Sequence, residues 1–210
     1  MAGDRTNNRV LQELAKTDST AYRRLFDELE PLPLQRGAIL GAVRERSKWV
    51  YFIDSGVISL VAETGSGDSV EVAIVGREGV AGLADALSDR PLPYRFAVQL
   101  PGLAYRVPRS IITSHIYDCT PLHELLMDYA QFLMHQLAQS AVCNRFHSSV
   151  QRLSRWLLLT AQRAETNRFP LTHEFAAQMV GAPRSAVTQA AVQLRAQGII
   201  DYRRGLLTIR

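Results

Sequence analysis

Residues 171–197, LTHEFAAQMVGAPRSAVTQAAVQLRAQ, contain two short amphipathic helical segments separated by a glycine and a proline. Thr172 is suited to cap the first helix, because a threonine side chain can accept a hydrogen bond from an N–H group of the first turn. Gly181 supplies the left-handed conformation that a sharp turn needs. Pro183 fits the start of the next helix, which we expect to end near Gln197. This arrangement predicts a helix-turn-helix, whose second helix enters the major groove of DNA.

The outward face of the second helix carries polar side chains that suit DNA. Arg184, Ser185, Thr188 and Gln189 follow the i, i+1, i+4, i+5 spacing of one exposed stripe. Arginine can bond two acceptors on guanine, glutamine can do the same on adenine, and hydroxyl groups can bond bases or phosphates. A solvated helix face would look similar, so the stripe alone leaves both interpretations open.

The residues that follow strengthen the DNA interpretation. Residues 199–202 and 206–209 have the pattern of two strands around Arg203, Arg204 and a glycine. A hairpin with arginines at its tip predicts the wing of a winged helix. The charge distribution also supports DNA binding. Residues 145–210 carry a net charge of +7, and their cationic residues are all arginines, whereas residues 1–144 carry a net charge of −3. We therefore predict double-stranded DNA as a partner.

The first half of the chain has a different pattern. Helical spacing at residues 8–29 predicts one or two short helices. From residue 34 to about residue 110, short segments rich in β-branched and aromatic residues alternate with glycine-containing turns. We predict turns at residues 54–56, 64–68 and 101–102. Short, regular strands of this kind predict a compact antiparallel barrel or jelly roll.

Residues 120 to about 139 change to a helical period. One face of this helix is formed by Leu122, Leu126, Tyr129, Leu133 and Leu137. Other apolar residues lie outside that row, so the helix is apolar on more than one side. We therefore expect it to pack against its own domain and against a second copy, with the five residues above in a homodimer interface. A single buried core helix is the alternative.

Several other classes of protein are disfavoured. The chain has no run of about 18 apolar residues and no secretory signal at its N-terminus, which predicts a cytoplasmic protein without a membrane partner. Its two cysteines, Cys119 and Cys143, lack metal-site spacing, so we assign no metal ligands. Known catalytic motifs are also missing, and we predict no enzyme activity and no catalytic residues. A ligand-binding module without DNA activity is a second alternative, against which the helix-turn-helix and wing argue.

Three segments carry a family resemblance. Residues 51–60 (YFIDSGVISL), 75–82 (VGREGVAG) and 171–181, with the wing after them, resemble the Crp/Fnr family of bacterial transcriptional regulators. The resemblance implies an α+β protein. It places a cyclic-nucleotide-binding-like sensor domain, a double-stranded β-helix or jelly roll with N-terminal helices, at residues 1–118. It further implies a dimerisation helix at 119–143 and a winged helix-turn-helix at 144–210.

The same resemblance implies roles for individual residues. Arg184, Ser185 and Gln189 occupy the positions from which family members commonly read bases, although the third is usually arginine, so we expect a different operator sequence. His173 stands where the family has a phosphate-contacting arginine, and Thr172 resembles a contact to the DNA backbone. For Thr188, Arg203 and Arg204 we also expect backbone contacts. If the protein activates transcription, RNA polymerase would be a further partner.

The sensor domain departs from the family's ligand site. The candidate pocket residues are Gly79, Gly82, Leu83 and Arg95. Leu83 stands where cyclic-nucleotide binders have a glutamate for the ribose, and Phe96 follows Arg95 where they have a phosphate-binding serine. Leucine and phenylalanine cannot make those hydrogen bonds. We therefore predict no conventional binding of cyclic AMP, no cofactor and an effector that the sequence does not name. The glycines could form an anion-binding nest or simply tight turns.

Overall fold

The computed structural model describes residues 6–88, 90–91 and 93–210. The first elements are two helices, the strands of the larger sheet and two further helices. They are α1 (Arg9–Thr17), α2 (Ser19–Asp27), β1 (Glu30–Leu34), β2 (Ile39–Gly41), β3 (Trp49–Glu63), β4 (Ser69–Val75), β5 (Val80–Ala81), α3 (Leu83–Leu87), β6 (Tyr94–Pro108) and α4 (Arg109–Asp118). The side chains of Asn8 and Asp18 cap α1 and α2 by accepting hydrogen bonds from first-turn N–H groups. The short helices expected at residues 8–29 are thus confirmed.

A long helix leads into the second half of the chain. The elements there are α5 (Thr120–Phe146), α6 (Ser149–Ala164), β7 (Arg168–Pro170), α7 (His173–Val180), α8 (Arg184–Ala196), β8 (Ile200–Arg203) and β9 (Leu206–Ile209). The chain is therefore an α+β protein, as predicted. Helix α5 covers the predicted dimerisation segment and continues to Phe146.

The larger sheet is antiparallel and has the strand order β1-β6-β3-β4, with β2 paired to β6 and β5 paired to β3. Strands β3 and β6 are each 15 residues long and pair along most of their length. Two predicted turns are therefore wrong, because the chain continues as strand through residues 54–56 and 101–102. The turn at residues 64–68 is confirmed, since Thr64 donates its N–H to the carbonyl oxygen of Asp68.

A pair of bulged segments explains why those two glycine-containing stretches do not reverse the chain. The β3–β6 register shifts between Ile53 and Ser55 and again between Ser55 and Val57. Such bulges absorb extra residues and bend a strand without ending it. Gly56 supplies a φ of +83°, and a Cβ at Gly102 would lie 2.2 Å from the carbonyl oxygen of Ser55. The two stretches face each other at a bend where only glycine fits.

Helix α5 places three of the five predicted dimer-interface residues in the core of a single protomer. Leu122, Leu126 and Tyr129 are at most 5% exposed and belong to the core that the helices share with the sheet. Leu133 and Leu137 are half-buried against the same core. The first three residues therefore pack within one protomer, since periodicity marks a buried face without saying what covers it, and a dimer contact of Leu133 and Leu137 stays a prediction. The apolar side chains that α5 leaves exposed are others, namely Phe132, Met134, Val142 and Phe146.

The second core joins the C-terminal helices to the larger sheet. Helix α6 begins with a capping box, in which Ser148 and Gln151 bond each other's backbone N–H groups. Its buried residues Leu153, Trp156 and Leu157 pack with α7, α8 and the three-stranded sheet β7-β9-β8. Val57, Val61, Ile74 and Leu100 of the larger sheet belong to the same cluster. The C-terminal helices therefore pack directly against the larger sheet.

Candidate nucleic-acid interface

The helix-turn-helix forms as its sequence predicts. The Thr172 hydroxyl oxygen accepts a hydrogen bond from the N–H of Phe175 at 3.1 Å and caps α7. Gly181 ends α7 with a φ of +61°, and its N–H bonds the carbonyl oxygen of Ala177. Pro183 stands at the N-cap of α8, one position before the first helical residue. Glycine is required at 181 for a second reason, because a Cβ there would lie 2.8 Å from a methyl carbon of Val70.

Helix α8 divides cleanly into a buried and an exposed face. Val187, Ala190 and Leu194 are buried in the C-terminal core. Arg184, Ser185 and Gln189 are all exposed, so the structure brings the three predicted base-reading residues together on one accessible face. Thr188 is half-buried at the edge of that face.

The position of Thr188 depends on His173. Its hydroxyl oxygen lies 3.1 Å from Nδ1 of His173 at the start of α7. The His173 ring packs on the Tyr202 ring with centroids 5.4 Å apart, and the Tyr202 hydroxyl donates to the carbonyl oxygen of Leu171. Tyr202 thus connects the wing to the start of α7, and His173 continues the contact to Thr188 of α8. Sequence reasoning missed this role, although an aromatic residue directly before the wing arginines was the available signal.

The wing is a tight hairpin between β8 and β9. Arg204 and Gly205 both have positive φ values, +52° and +79°, as a two-residue hairpin loop of the primed type requires. Arg203 and Arg204 are exposed at this tip. The structure therefore projects both predicted phosphate-contacting arginines away from the domain.

Asp201 at the base of the wing was not identified from the sequence. Its carboxylate lies 3.2 Å from Nε of Arg203 and 3.2 Å from Nη2 of Arg210. The backbone N–H of Tyr202, followed by the guanidinium groups of Arg210 and Arg203, holds the pKa of Asp201 below its usual value. The carboxylate neutralises part of the wing's charge, whereas Arg204 forms no ion pair with any of the described residues.

The candidate ligand pocket is occupied by the protein's own groups. A Cβ at Gly79 would lie 2.0 Å from Cζ of Tyr129, so the Tyr129 ring fills the space above this glycine. Leu83 is 2% exposed in the core, and Arg95 forms an ion pair with Glu63. Gly82 has a φ of +84° at the N-cap of α3. The glycines therefore serve tight turns and close packing, and the structure gives the four residues no shared ligand-binding face.

Two larger openings lie elsewhere. A cleft of about 780 Å³ separates the β3–β4 hairpin from the α7–α8 turn, and its lining includes Glu63, Asp68 and Glu174. A second cleft, of about 560 Å³, lies between α3 and α4 and includes Asp85 and Arg109. Neither was visible in the sequence, because each is formed by segments far apart in the chain.

Within the described part of the chain, no helix combines the length and apolar character needed to cross a bilayer. The same residues include no cluster of three or more histidine, cysteine or acidic side chains that could hold a metal ion.

Residues 151–210 match the family model of the Crp-like helix-turn-helix domain. No curated protein matches the sequence. Among solved structures, the chain is similar to the c-di-GMP-responsive global regulator CLP of Xanthomonas campestris, with a TM-score of 0.74 and 13% identity over 91% of this chain and 99% of that one.

Two further structures show the same fold. FixK2 of Bradyrhizobium japonicum has a TM-score of 0.74 and 16% identity, with 87% of this chain and 92% of that chain covered. A protein from Eubacterium rectale, described as a transcriptional regulator of the Crp/Fnr family, has a TM-score of 0.72 and 15% identity, with 93% and 92% covered. The matches are to regulators rather than enzymes. Residues 151–210 thus form a Crp-like helix-turn-helix domain, and the chain as a whole has the fold of these transcriptional regulators.

Proposed function

We propose that this regulator binds a palindromic operator as a homodimer and reads bases with Arg184, Ser185 and Gln189. The observation that carries the proposal is their common exposure on α8, between a capped first helix and an arginine-tipped wing. Arg184 suits guanine and Gln189 suits adenine, because each side chain can make two hydrogen bonds to the major-groove edge of that base. Ser185 adds a short hydroxyl contact beside them.

Five residues around this face would hold the DNA backbone. Thr172, His173, Thr188, Arg203 and Arg204 surround the three readers in sequence and belong to α7, α8 and the wing. Arginine contacts to phosphate release condensed cations, so affinity should fall steeply with salt. Since Asp201 pairs with Arg203, we expect Arg204 to contribute more than Arg203 to this salt dependence.

The exposed face of α5 provides a surface for the second copy. Met127, Gln131, Met134, Ala138 and Ala141 follow one another at alternating intervals of four and three residues. This is the spacing of a coiled-coil seam. Met134 is 61% exposed, and the small side chains of Ala138 and Ala141 would let two α5 helices approach closely. Such a dimer could place its two α8 helices about 34 Å apart, as successive major grooves require.

The sensor domain would answer to something other than conventionally bound cyclic AMP. Support comes from Leu83, which is buried where a ribose acceptor would be needed, and from Arg95, which is already paired with Glu63. Calorimetry should therefore detect no micromolar binding of cyclic AMP, and such binding would contradict this part of the proposal. A cytoplasmic location follows from the proposed role, and RNA polymerase would be a partner only of an activator.

Selection of bound sequences from random DNA, followed by fluorescence anisotropy, tests the base-reading residues. Arg184→Ala should weaken binding by about 1–3 kcal/mol and relax base preference at one position of each half-site. The matched control is Arg23→Ala, because Arg23 is an exposed helical arginine on α2, in the sensor domain. Unchanged affinity and unchanged preference in Arg184→Ala would refute the assignment of this residue.

Light scattering of the purified protein tests the α5 seam. Met134→Asp should convert the dimer to a monomer, because it places two charges opposite each other in an apolar contact. Tyr117→Asp is the matched control, since Tyr117 is an 84% exposed apolar side chain on α4, outside the seam. A Met134→Asp protein that remains dimeric would show that the copies associate through another surface.

A further inference from the structure

A tight turn joins β4 to β5 and contacts both α1 and α5. This junction turn, residues 76–79, is closed by a hydrogen bond of 3.1 Å from the N–H of Gly79 to the carbonyl oxygen of Gly76. The carbonyl oxygen of Arg77 accepts a hydrogen bond of 2.8 Å from the N–H of Arg9, the first residue of α1. The ring of Tyr129 on α5 lies against Gly79. The position of the turn relative to α1 and α5 is therefore fixed.

Two side chains of the junction turn pair with the end of α6. Oε1 of Glu78 lies 2.6 Å from Nε of Arg163, and Arg77 pairs with Glu165, which follows the last residue of α6. The contact of Glu78 with Arg163 is an ion pair by distance, without the alignment of a hydrogen bond. The turn contributes one charge of each sign, and so does the end of α6. The two surfaces are therefore complementary in charge.

The inner of the two ion pairs is shielded from water. The side chains of Arg163 and Glu78 are 8% and 16% exposed, compared with 32% and 51% for Arg77 and Glu165. Salt screens a shielded pair less than an exposed one, and removal of one partner would leave the other charge uncompensated. The two segments also approach closely, because a Cβ at Gly76 would lie 2.9 Å from Cβ of Arg163. The end of α6 therefore fits the turn in shape as well as in charge.

Arg163 also contacts α5. Its guanidinium carbon lies 5.5 Å from the centre of the Phe132 ring, within the range of a cation–π contact. Phe132 is 38% exposed and is one of the apolar side chains that α5 leaves free. One arginine thus connects the end of α6 both to the junction turn and to the helix proposed for dimerisation.

The place of these contacts along α6 determines what they can restrain. Helix α5 ends at Phe146 and α6 begins at Ser149, so only two residues connect the helices. Since α6 has 16 residues, it is about 24 Å long. The ion pairs hold the end of α6 that lies farthest from the connection, where a small rotation of the helix gives the largest displacement. They therefore restrain α6 and also α8, with which α6 shares a core.

We propose that Arg163 and Glu78, together with Arg77 and Glu165, are positioning residues that form an ion-pair latch. The latch fixes the orientation of α6 and, through it, the spacing of the two α8 helices in the dimer. Successive major grooves lie about 34 Å apart, so helices that already have this spacing engage two half-sites without first having to be ordered. A single half-site makes no such demand. The inference rests on the proposed homodimer and adds the residues that position its DNA-binding helices.

Fluorescence anisotropy with a full palindrome and with a single half-site, both taken from the selected sequences, tests the latch. Arg77→Glu and Glu165→Arg each place like charges together, and each should lower the preference for the palindrome over the half-site by about tenfold. The two variants change the net charge in opposite directions, so a general attraction to DNA does not explain a loss common to both. The double variant Arg77→Glu/Glu165→Arg sets two carboxylates of the turn opposite two arginines of α6. It should restore the preference to within about threefold of the unmodified protein.

Two further variants complete the experiment. Arg23→Glu reverses an exposed charge on α2, outside the latch, and should leave the preference unchanged. Glu78→Gln keeps the size of the inner side chain but removes its charge, and should lower the preference without adding a like-charge contact. A preference that is unchanged in both single reversals, or that stays low in the double variant, would overturn the latch. Equal binding of palindrome and half-site by the unmodified protein would instead refute the proposed homodimer and, with it, the latch.

Discussion

Gly79→Ala is a sharp test of how the sensor domain is packed. The glycine lies in the turn before β5, and its carbonyl oxygen accepts hydrogen bonds from Nδ2 of Asn8 at 2.8 Å and from the N–H of Ile53. A single added methyl group would meet the ring of Tyr129, which is 5% exposed. The substitution therefore distinguishes a glycine that is packed against Tyr129 from one that borders an open ligand site.

The expected cost follows from the distances. The new Cβ would lie 2.0–2.1 Å from Cζ, Cε2 and the hydroxyl oxygen of Tyr129, whereas ordinary carbon contacts begin at 3.4 Å. The ring would have to move by more than 1 Å within a packed core, because the turn is held by its hydrogen bonds. Overpacking usually costs about 1–3 kcal/mol, and we expect about 3 kcal/mol here. For a chain of this size, that lowers Tm by roughly 6–12 °C.

Urea denaturation monitored by circular dichroism measures this change. Gly65→Ala is the matched control, since a Cβ at Gly65 meets no atom within 4 Å and should be neutral or slightly stabilising. The double variant Gly79→Ala/Tyr129→Ala should lose less stability than the sum of the losses in the two single variants. Removal of the Tyr129 ring relieves the clash with the new methyl group at position 79, and that methyl group fills part of the cavity that the ring leaves. A Gly79→Ala protein as stable as the wild type would refute the close packing and reopen this turn as a ligand site.

Three further predictions concern stability. As pH rises from about 4.5 to about 7, the free energy of unfolding of the unmodified protein should fall by up to about 3 kcal/mol. The reason is that Glu71 has a pKa of about 7 in the folded protein and keeps its proton, whereas the unfolded chain, with the ordinary pKa of 4.5, has already released it. Urea titrations of Glu71→Gln should lack this slope, and an unchanged slope would assign it to another group. Thr172→Ala should lower the free energy of unfolding by about 1 kcal/mol, because it removes the hydrogen bond that caps α7, whereas Thr172→Ser keeps that hydrogen bond. Equal melting temperatures for the two variants would contradict the capping role. Tyr202→Phe removes the hydrogen bond to the Leu171 carbonyl oxygen and should also lower the free energy of unfolding by about 1 kcal/mol. An unchanged free energy of unfolding would show that water replaces this hydrogen bond without cost.

Local chemistry explains which parts of the site could be predicted from the sequence. The helix-turn-helix could be predicted because the interactions that define it join residues close in sequence. Thr172 caps the helix that it precedes, and Gly181 adopts a left-handed conformation that is unfavourable for other residues. The exposed stripe of Arg184, Ser185 and Gln189 follows from helical geometry alone. Its contacts to bases remain a prediction.

Long-range packing explains the errors. Residues 54–56 have turn composition, but pairing with β6 keeps them in a bulged strand. Leu122 and Leu126 have the period of a helix face, yet the same period arises whether that face meets its own core or a second chain. Gly79 and Arg95 have no near neighbour in the sequence that would block a ligand, but in the fold Tyr129 lies against Gly79 and Glu63 pairs with Arg95.

The sequence by itself determined the order of the helices and strands and the helix-turn-helix with its wing, because caps, turns and helical or strand periodicity depend on near neighbours. Only the tertiary structure decided which apolar face of α5 is free, how the sensor pocket is filled and that Glu71 lies where the larger sheet meets the C-terminal helices. Those properties depend on contacts between residues far apart in the chain, and the burial and pKa of a side chain are set by what surrounds it in space.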